Sequence, residues 1–402
     1  MRTLLTNTRI FDGTGAPLAD GEVMIADGRI VEVGSGLDGD TVIDLGGRAL
    51  LPGFFDCHTH VAISNVDIFG GVQKPFSLSF YEAGRNLRNT LATGITSIRD
   101  AGGADLGVKT AVETGLISGP HMQISLTMIS QTGGHGDGWM PSGQYIRIFV
   151  AHPGVPDNIV NGVEEMRKKV RELVRMGADV IKVATSGGVL SPRDDPRHAH
   201  FTQEELNVLV ETARGLGRWV MAHAQASDGI KNAIRAGIRS IDHGIYLDDQ
   251  AIGMMLERGT FLVPTLVAPT GVIKAAEAGA AIPEASIRKA REVIDTHRDS
   301  FRRAVAAGVK VAMGTDSGVT AHGDNLEELA LMEAGGMTPA DVLVATTRTA
   351  AECLDVAADR GTIEAGKRAD LVVVDGDPLV LQGIKSRVTA VFKDGVLASG
   401  SV

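Results

Sequence analysis

Residues 178–224 read ADVIKVATSGGVLSPRDDPRHAHFTQEELNVLVETARGLGRWVMAHA and contain one complete β-then-α unit with the strand that follows it. ADVIKVAT (178–185) and RWVMAHA (218–224) are short β-rich runs, and residues 203–216 between them carry apolar side chains at helical intervals. The pattern recurs outward in both directions. β-Rich runs stand at 95–100, 121–130, 238–244, 260–266 and 309–316, and helical periodicity at 158–176, 226–236, 284–307 and 324–335. The clearest helix is 158–176, where Val163, Met166, Val170, Leu173 and Val174 recur beside Glu164, Lys168 and Arg175. A first strand at 51–58 brings the count to eight β-then-α units, the number that closes a parallel barrel. The expected fold is α/β, a (β/α)8 TIM barrel over residues 57–350.

The two ends differ from the middle. Residues 3–50 read as short strands with turns at Asp12-Gly13, Asp20-Gly21 and Asp27-Gly28, and ADLVVVDGD (369–377) and VTAVFKDGVLA (388–398) repeat that character. Neither piece has enough strands for a core of its own. Residues 1–56 and 351–402 are therefore expected to pair into one small composite β-sandwich that the barrel interrupts.

Composition narrows the class. The chain has 402 residues, 44% of them hydrophobic, with 39 basic against 49 acidic side chains for a net charge of −10. That excludes fibrous and disordered proteins and argues against nucleic acid or an anionic membrane as partner. No 18-residue apolar run exists to span a bilayer, and the opening MRTLLTNTRIFDGTG lacks the apolar stretch of a secretory signal. With two cysteines, Cys57 and Cys353, a cytoplasmic protein is expected. Its partner is expected to be a small molecule. Among 50 glycines, Gly94, Gly177, Gly217, Gly237, Gly259 and Gly308 stand at ends of apolar runs, where turns want a residue tolerant of positive φ, and the 4% aromatic content makes the core aliphatic.

In such barrels the chemistry sits where strands end. Strand 1 ends in Asp56-Cys57-His58-Thr59-His60, strand 4 carries Lys182, strand 5 ends at His223, strand 6 at His243 and strand 8 at Asp316. One histidine in an apolar run is most simply a packed residue. A set of polar groups at equivalent ends of separate strands is not, because each unpaired buried polar group costs about 1–3 kcal/mol. His58 and His60 stand at i and i+2 and share a strand face, whereas Cys57 points to the other face and reads as core. Imidazoles with a carboxylate suit zinc and related divalent ions. Lys182 would repel a metal as an ammonium, but desolvation frees the neutral amine, which reacts with carbon dioxide to give a carbamate. Its plainer reading is a lysine paired with an acid.

PGFFDCHTHV (52–61), DVIKVATSGG (179–188), VMAHA, SIDHG and GTDSG resemble the amidohydrolase superfamily over essentially the whole chain, through to GTIEAGKRADLVVVDGDP (361–378). The strand-end set is similar to its binuclear subtype. That resemblance implies His58, His60 and Asp316 on a more buried metal, His223 and His243 on a more exposed one, and N-carboxylated Lys182 bridging two zinc ions. QTGGHGD (131–137), SGGVLSPRDDPRHAHFT (186–202) and IDHGIYLDD (241–249) resemble the branch of Xaa-Pro and Xaa-Arg/Lys dipeptidases, carboxypeptidases and ochratoxin-type amide hydrolases. The branch implies a homo-oligomer.

Two such metals supply hydroxide near neutral pH and polarise a carbonyl, which suits amide hydrolysis. Asp316 is the expected general acid/base. His135 and Tyr246 are by resemblance the donors to the developing oxyanion, although a turn residue and a surface tyrosine are their plainer readings. The N–H groups of Ser186, Gly187 and Gly188 could converge on a free α-carboxylate, or the glycines could serve a tight turn alone. The loop through Arg193, Asp194, Asp195, Arg197, His198 and His200 reads as a lid whose histidines are not ligands. His121, His152, His297 and His322 receive no role. The expected reaction is release of a C-terminal amino acid from dipeptides or N-acyl amino acids, with the released residue open between Pro, basic and apolar. The alternatives are a cyclic amide or lactone hydrolase on the same metals, or a metal-free assembly protein.

Overall fold

The computed structural model of the chain describes residues 1–191 and 193–402, the side chains of Ile68 and Phe69 excepted. Pro192, in the expected lid, lies outside them. The N-terminal strands are β1 (Thr3–Ile10), β2 (Ala19–Ala26), β3 (Arg29–Gly34), β4 (Thr41–Asp44) and β5 (Ala49–Pro52). The middle of the chain contributes β6 (Phe54–Thr59), β7 (Ile95–Asp100), β8 (His121–Ile124), β9 (Met128–Ile129), β10 (Ile181–Ala184), β11 (Val220–Ala224), β12 (Ser240–His243) and β13 (Phe261–Val263). The C-terminal strands are β14 (Leu371–Val374), β15 (Val388–Lys393) and β16 (Val396–Gly400).

The strands of the middle are all parallel. They form a five-stranded sheet in the order β13-β12-β11-β10-β9 and a three-stranded sheet in the order β6-β7-β8. The run 121–130 is divided at Leu126, whose φ of 67° breaks the ladder between β8 and β9. The run 309–316 makes no continuous ladder. Its backbone instead bonds alternately to both neighbours: Leu262 N–H donates to Lys310 O, Cys57 N–H to Met313 O, and Asp316 N–H to His58 O at 2.7 Å. The helix expected from 158 begins only at Val163, because residues 159–160 bridge to Ser130. The helices Gln203–Gly215, Ser227–Ala236 and Glu284–Ala307 fall where their periodicity put them. Among the described residues no helix is long and apolar enough to cross a membrane.

The two ends do meet, but as one continuous eight-stranded sheet in the order β16-β15-β14-β5-β1-β2-β3 with β4 beside β1, rather than as a demonstrated sandwich. β5 and β14 form the antiparallel seam between them, Leu51 opposite Val372. Asp20-Gly21 is not a turn, since the register of β1 continues across it and sets Gly21 opposite Thr8. The stretch expected as a first strand at 51–58 is divided at Gly53. A Cβ there would meet the Thr96 hydroxyl at 2.1 Å, so only glycine lets the chain pass from the end sheet into β6. Leu5, Ile30, Leu50, Leu371 and Val373 fill the interior of the end sheet with no exposure. Each such side chain contributes roughly 1.5–3 kcal/mol by burial.

Candidate active site

The polar strand ends converge on one cavity of about 550 Å³, whose lining includes His58, His60, His135, Lys182, His243 and Asp316. His58 Nε2 and His60 Nε2 lie 3.3 and 3.2 Å from the same Asp316 oxygen, Oδ1. The three residues form a group able to hold a metal ion. His243 packs against His58 with ring centroids 5.0 Å apart, and His223 against His243 at 4.6 Å. His223 and His135 also line a smaller apolar recess next to the main cavity.

In each of these imidazoles one ring nitrogen is fixed by an oxygen. His58 Nδ1 meets Asp242 Oδ2 at 2.8 Å, His60 Nδ1 meets Gly102 O at 2.9 Å, His223 Nε2 meets Gly187 O at 3.1 Å and His243 Nδ1 meets Thr265 Oγ1 at 2.7 Å. A carbonyl only accepts, so the bonded nitrogens of His60 and His223 carry the proton. In His223 the opposite nitrogen keeps its lone pair, which is how metal-binding histidines are held in one tautomer, whereas His60 Nε2 faces Asp316, whose charge outweighs burial and raises the imidazole above its usual range. Burial holds His223 and His243 well below the usual imidazole range, with neighbouring His135 and His58 adding to the effect, so both are neutral and fit as ligands. Asp316 is well below the usual carboxylate range, because His58 and His60 outweigh its burial.

Backbone conformation aims two of these groups. His243 has φ of 75° and Asp316 of 61°, left-handed values that cost a non-glycine residue about 1–3 kcal/mol. Adjacent strand residues normally face opposite ways, yet Asp242 and His243 both reach His58. The left-handed turn at His243 makes this possible. It is held by His297, whose Nε2 donates to His243 O at 2.9 Å from the helix Glu284–Ala307.

Beneath the cavity lies a buried network that the sequence reading passed over. Arg99 of β7 donates to both Asp242 oxygens at 3.1 and 3.2 Å, and Lys182 Nζ lies 3.3 Å from Asp242 Oδ2. All three side chains are essentially inaccessible to solvent. Burial lowers the Lys182 amine to about 8, with Arg99 adding to the fall and Asp242 opposing it. Asp56 is a second brace, accepting from Thr315 Oγ1 at 2.6 Å, Asn325 Nδ2 at 2.8 Å and His58 N at 3.1 Å. The sequence carried no distinct signal for it, since ITSIRD and SIDHG mix polar and apolar residues throughout.

A model of the amidohydrolase family matches residues 49–401. The chain belongs to the amidohydrolase family. This amidohydrolase is 35% identical to an ochratoxinase of Aspergillus niger, over 99% of its own length and 87% of that protein's. A solved Xaa-Pro dipeptidase with methionine bound in its active site is 32% identical, with a TM-score of 0.88 over 99% of both chains. A prolidase complexed with N-methylphosphonate-L-proline is 36% identical, with a TM-score of 0.91 over 99% of both chains.

Around this centre the amidohydrolase arranges its loops differently from a simple anion cradle. Ser186 Oγ donates to Gly187 O, Gly187 N–H donates to His198 O at 3.1 Å and Gly188 N–H to Asp194 Oδ2 at 3.1 Å. These two amides are already engaged within the loop, one by a carbonyl and one by the Asp194 carboxylate. Gly188 matters for another reason: a Cβ there would meet His135 Cε1 at 2.2 Å. His135 lies flat on His223 at 4.1 Å, its Nδ1 2.7 Å from Ser191 Oγ and 3.4 Å from Asp194 Oδ2. Tyr246 stands three residues past His243, half-buried near Arg197, Asp195 and Glu292, and is not among the residues lining the cavity. Burial pushes its phenol up.

Buried Lys289 fastens this loop from the helix Glu284–Ala307. Its Nζ donates to Gly188 O at 3.0 Å, Ser191 O at 2.7 Å and Asp194 O at 2.5 Å. Lys289→Met would leave the Ser191 and Asp194 carbonyls without a donor and Gly188 O with Ser191 Oγ alone, a loss of about 1–3 kcal/mol or more. Urea unfolding is expected to show that loss, and limited proteolysis is expected to cut first between 187 and 195. Unchanged stability with an unchanged cleavage pattern would remove the fastening role.

Proposed function

We propose that this amidohydrolase is a binuclear zinc enzyme that releases the C-terminal residue from dipeptides or N-acyl amino acids. The observation that carries this reading is the cluster of four imidazoles, each with one nitrogen tied to oxygen, two of them with the second nitrogen on Asp316 Oδ1, beside Lys182. Such donors fit zinc. His58, His60 and Asp316 would hold one ion, His223 and His243 the second, and N-carboxylated Lys182 would bridge them. Burial holds the Lys182 amine well below the usual lysine range, against the pull of Asp242, and so favours the neutral form that reacts with carbon dioxide. When bound, the ion pair would supply hydroxide near neutral pH and polarise the scissile carbonyl.

The remaining work falls to the chain. Asp316 takes the proton of the attacking water and delivers it to the departing amine, as a positioned acid/base does. His135, held by Ser191 in the cavity wall, donates to the carbonyl oxygen as negative charge develops there, a role given to Tyr246 by resemblance alone because it stands outside the lining. Ser186, Gly187 and Gly188 contribute by shape, giving His135 its close seat. Phe76, Phe80, Tyr145 and Phe149 line the outer cavity and suit an acyl group with an apolar or aromatic body. The dipeptidase, prolidase and ochratoxinase relatives support the substrate class.

In the architecture that accompanies this reading, the two parallel sheets and residues 309–317 close as the (β/α)8 barrel of 57–350, and 1–56 with 351–402 form the composite end domain. Two free buried cysteines suit a reducing, cytoplasmic compartment, and the resemblance to the dipeptidase branch is what suggests a homo-oligomer. The deciding experiment is a panel of L-Xaa-L-Xaa dipeptides and N-acyl amino acids, run beside lactones and cyclic amides on zinc-loaded protein. Turnover of the first group, abolished by a chelator and restored by zinc, is expected. Activity confined to lactones or cyclic amides would replace this reading with the ring-opening alternative.

A further inference from the structure

His121 opens β8, Asp370 immediately precedes β14 and Asp394 lies in the turn between β15 and β16, so the three come from different parts of the chain. They form a second group able to hold a metal ion, separate from His58, His60 and Asp316. His121 Nε2 lies 3.2 Å from Asp370 Oδ2 and 3.5 Å from Asp394 Oδ2. Despite that approach, neither His121 Nε2 nor Asp370 Oδ2 has a hydrogen-bond partner, although both atoms are buried. The Asp370 side chain is only 3% exposed.

The carboxylates divide their oxygens in a telling way. Asp370 Oδ1 accepts from the Asp394 N–H at 2.8 Å, and Asp394 Oδ1 accepts from Arg368 Nη1 at 2.5 Å. One oxygen of each is thus committed to holding the turn, and Oδ2 of each is left facing His121. Arg360 and Lys393 stand nearby and already balance part of the negative charge.

Both contacts are within reach of a hydrogen bond but neither is aligned as one, and their spacing is that of donors around a single ion. Donors about 2.0–2.2 Å from a tetrahedral zinc are separated by about 3.3–3.6 Å. His121 stands 3.2 and 3.5 Å from its two carboxylate oxygens, close to the 3.3 and 3.2 Å between the imidazoles and Asp316 in the cavity. The geometry points to a structural zinc-class site formed by His121 Nε2, Asp370 Oδ2 and Asp394 Oδ2, with water as the fourth ligand. An ion there ties β8 of the parallel sheets to both the β14 and β15–β16 parts of the end sheet. It takes no part in turnover.

The test compares zinc content in the full chain, loaded with zinc and desalted, between wild type and His121→Ala. The variant is expected to hold one zinc fewer per chain, to keep the wild-type rate, and to lose part of the rise in Tm that zinc gives the wild type. Asp394→Asn provides the same count should His121→Ala fold poorly. Anomalous scattering at the zinc edge from wild-type crystals is expected to give a peak among the three side chains. Equal zinc content in wild type and the folded variant, or an anomalous map with no peak there, overturns the site. Because the readout is a difference in zinc content, it stands apart from whether the cavity cleaves dipeptides.

Discussion

Asp316→Asn is expected to lower kcat by about 10²–10⁴-fold, the contribution typical of a positioned acid/base. The substitution keeps the size of the side chain and removes only its charge and proton-accepting capacity. Asp316 Oδ1 is the common neighbour of His58 and His60, and the backbone of Asp316 is tied to His58 O. An amide placed there cannot take a proton from water, and its NH2 would face an imidazole lone pair. The fold should survive, since neutralising a buried carboxylate removes a desolvation cost. Rates measured with zinc in excess separate lost chemistry from lost metal. A variant that keeps more than a tenth of the wild-type kcat under those conditions would exclude Asp316 as the proton carrier.

The second large effect is expected at Asp242. Asp242→Asn leaves the fully buried Arg99 guanidinium without its counter-charge, and breaking one side of a buried pair typically costs 3–5 kcal/mol, so a loss of about that size is expected. The same change loosens His58, whose Nδ1 loses its carboxylate, and outer partners of this kind are worth about 10–100-fold in metal affinity. Lys182 loses its neighbour as well. Urea unfolding and zinc titration should therefore move together in this variant. Arg99→Met combined with Asp242→Asn should recover part of the stability but none of the zinc affinity. If the single variant were as stable as wild type, the network would not be what holds the site in place.

How much of this was legible in the sequence differs from element to element. The helix 203–215 was readable because its buried face, Leu206, Leu209, Val210 and Ala213, is apolar throughout, and 284–307 because Ala290, Val293, Phe301 and Ala304 keep the helical interval although Lys289 and His297 share that face. The run at 309–316 misled in a specific way: its residues are those of a strand, but the backbone alternates between two neighbours and forms no ladder with either. His58, His60 and Asp316 could be seen because strand ends are where this fold class places polar groups, and the structure does bring them together. Tyr246, chosen by resemblance alone, is not among the residues lining the cavity. Arg99, Asp242, His297 and Lys289 were invisible for a common reason. Each acts on a residue far away in the chain, at separations between 54 and 184 positions, and no local pattern encodes such a pairing. Gly188 illustrates the same limit, since its lack of a side chain has meaning only once His135 is seen above it.

The seam between β5 and β14 has a consequence for how the molecule is born. During synthesis β5 emerges early and waits, with its open edge and apolar residues such as Leu50 and Leu51, until most of the remaining chain has left the ribosome. Asp316 likewise meets His58 only after the intervening strands have been made. A nascent or prematurely terminated chain therefore presents a sticky, unpaired flank and no competent centre, which makes it a natural client for holding chaperones and a poor candidate for activity in fragments.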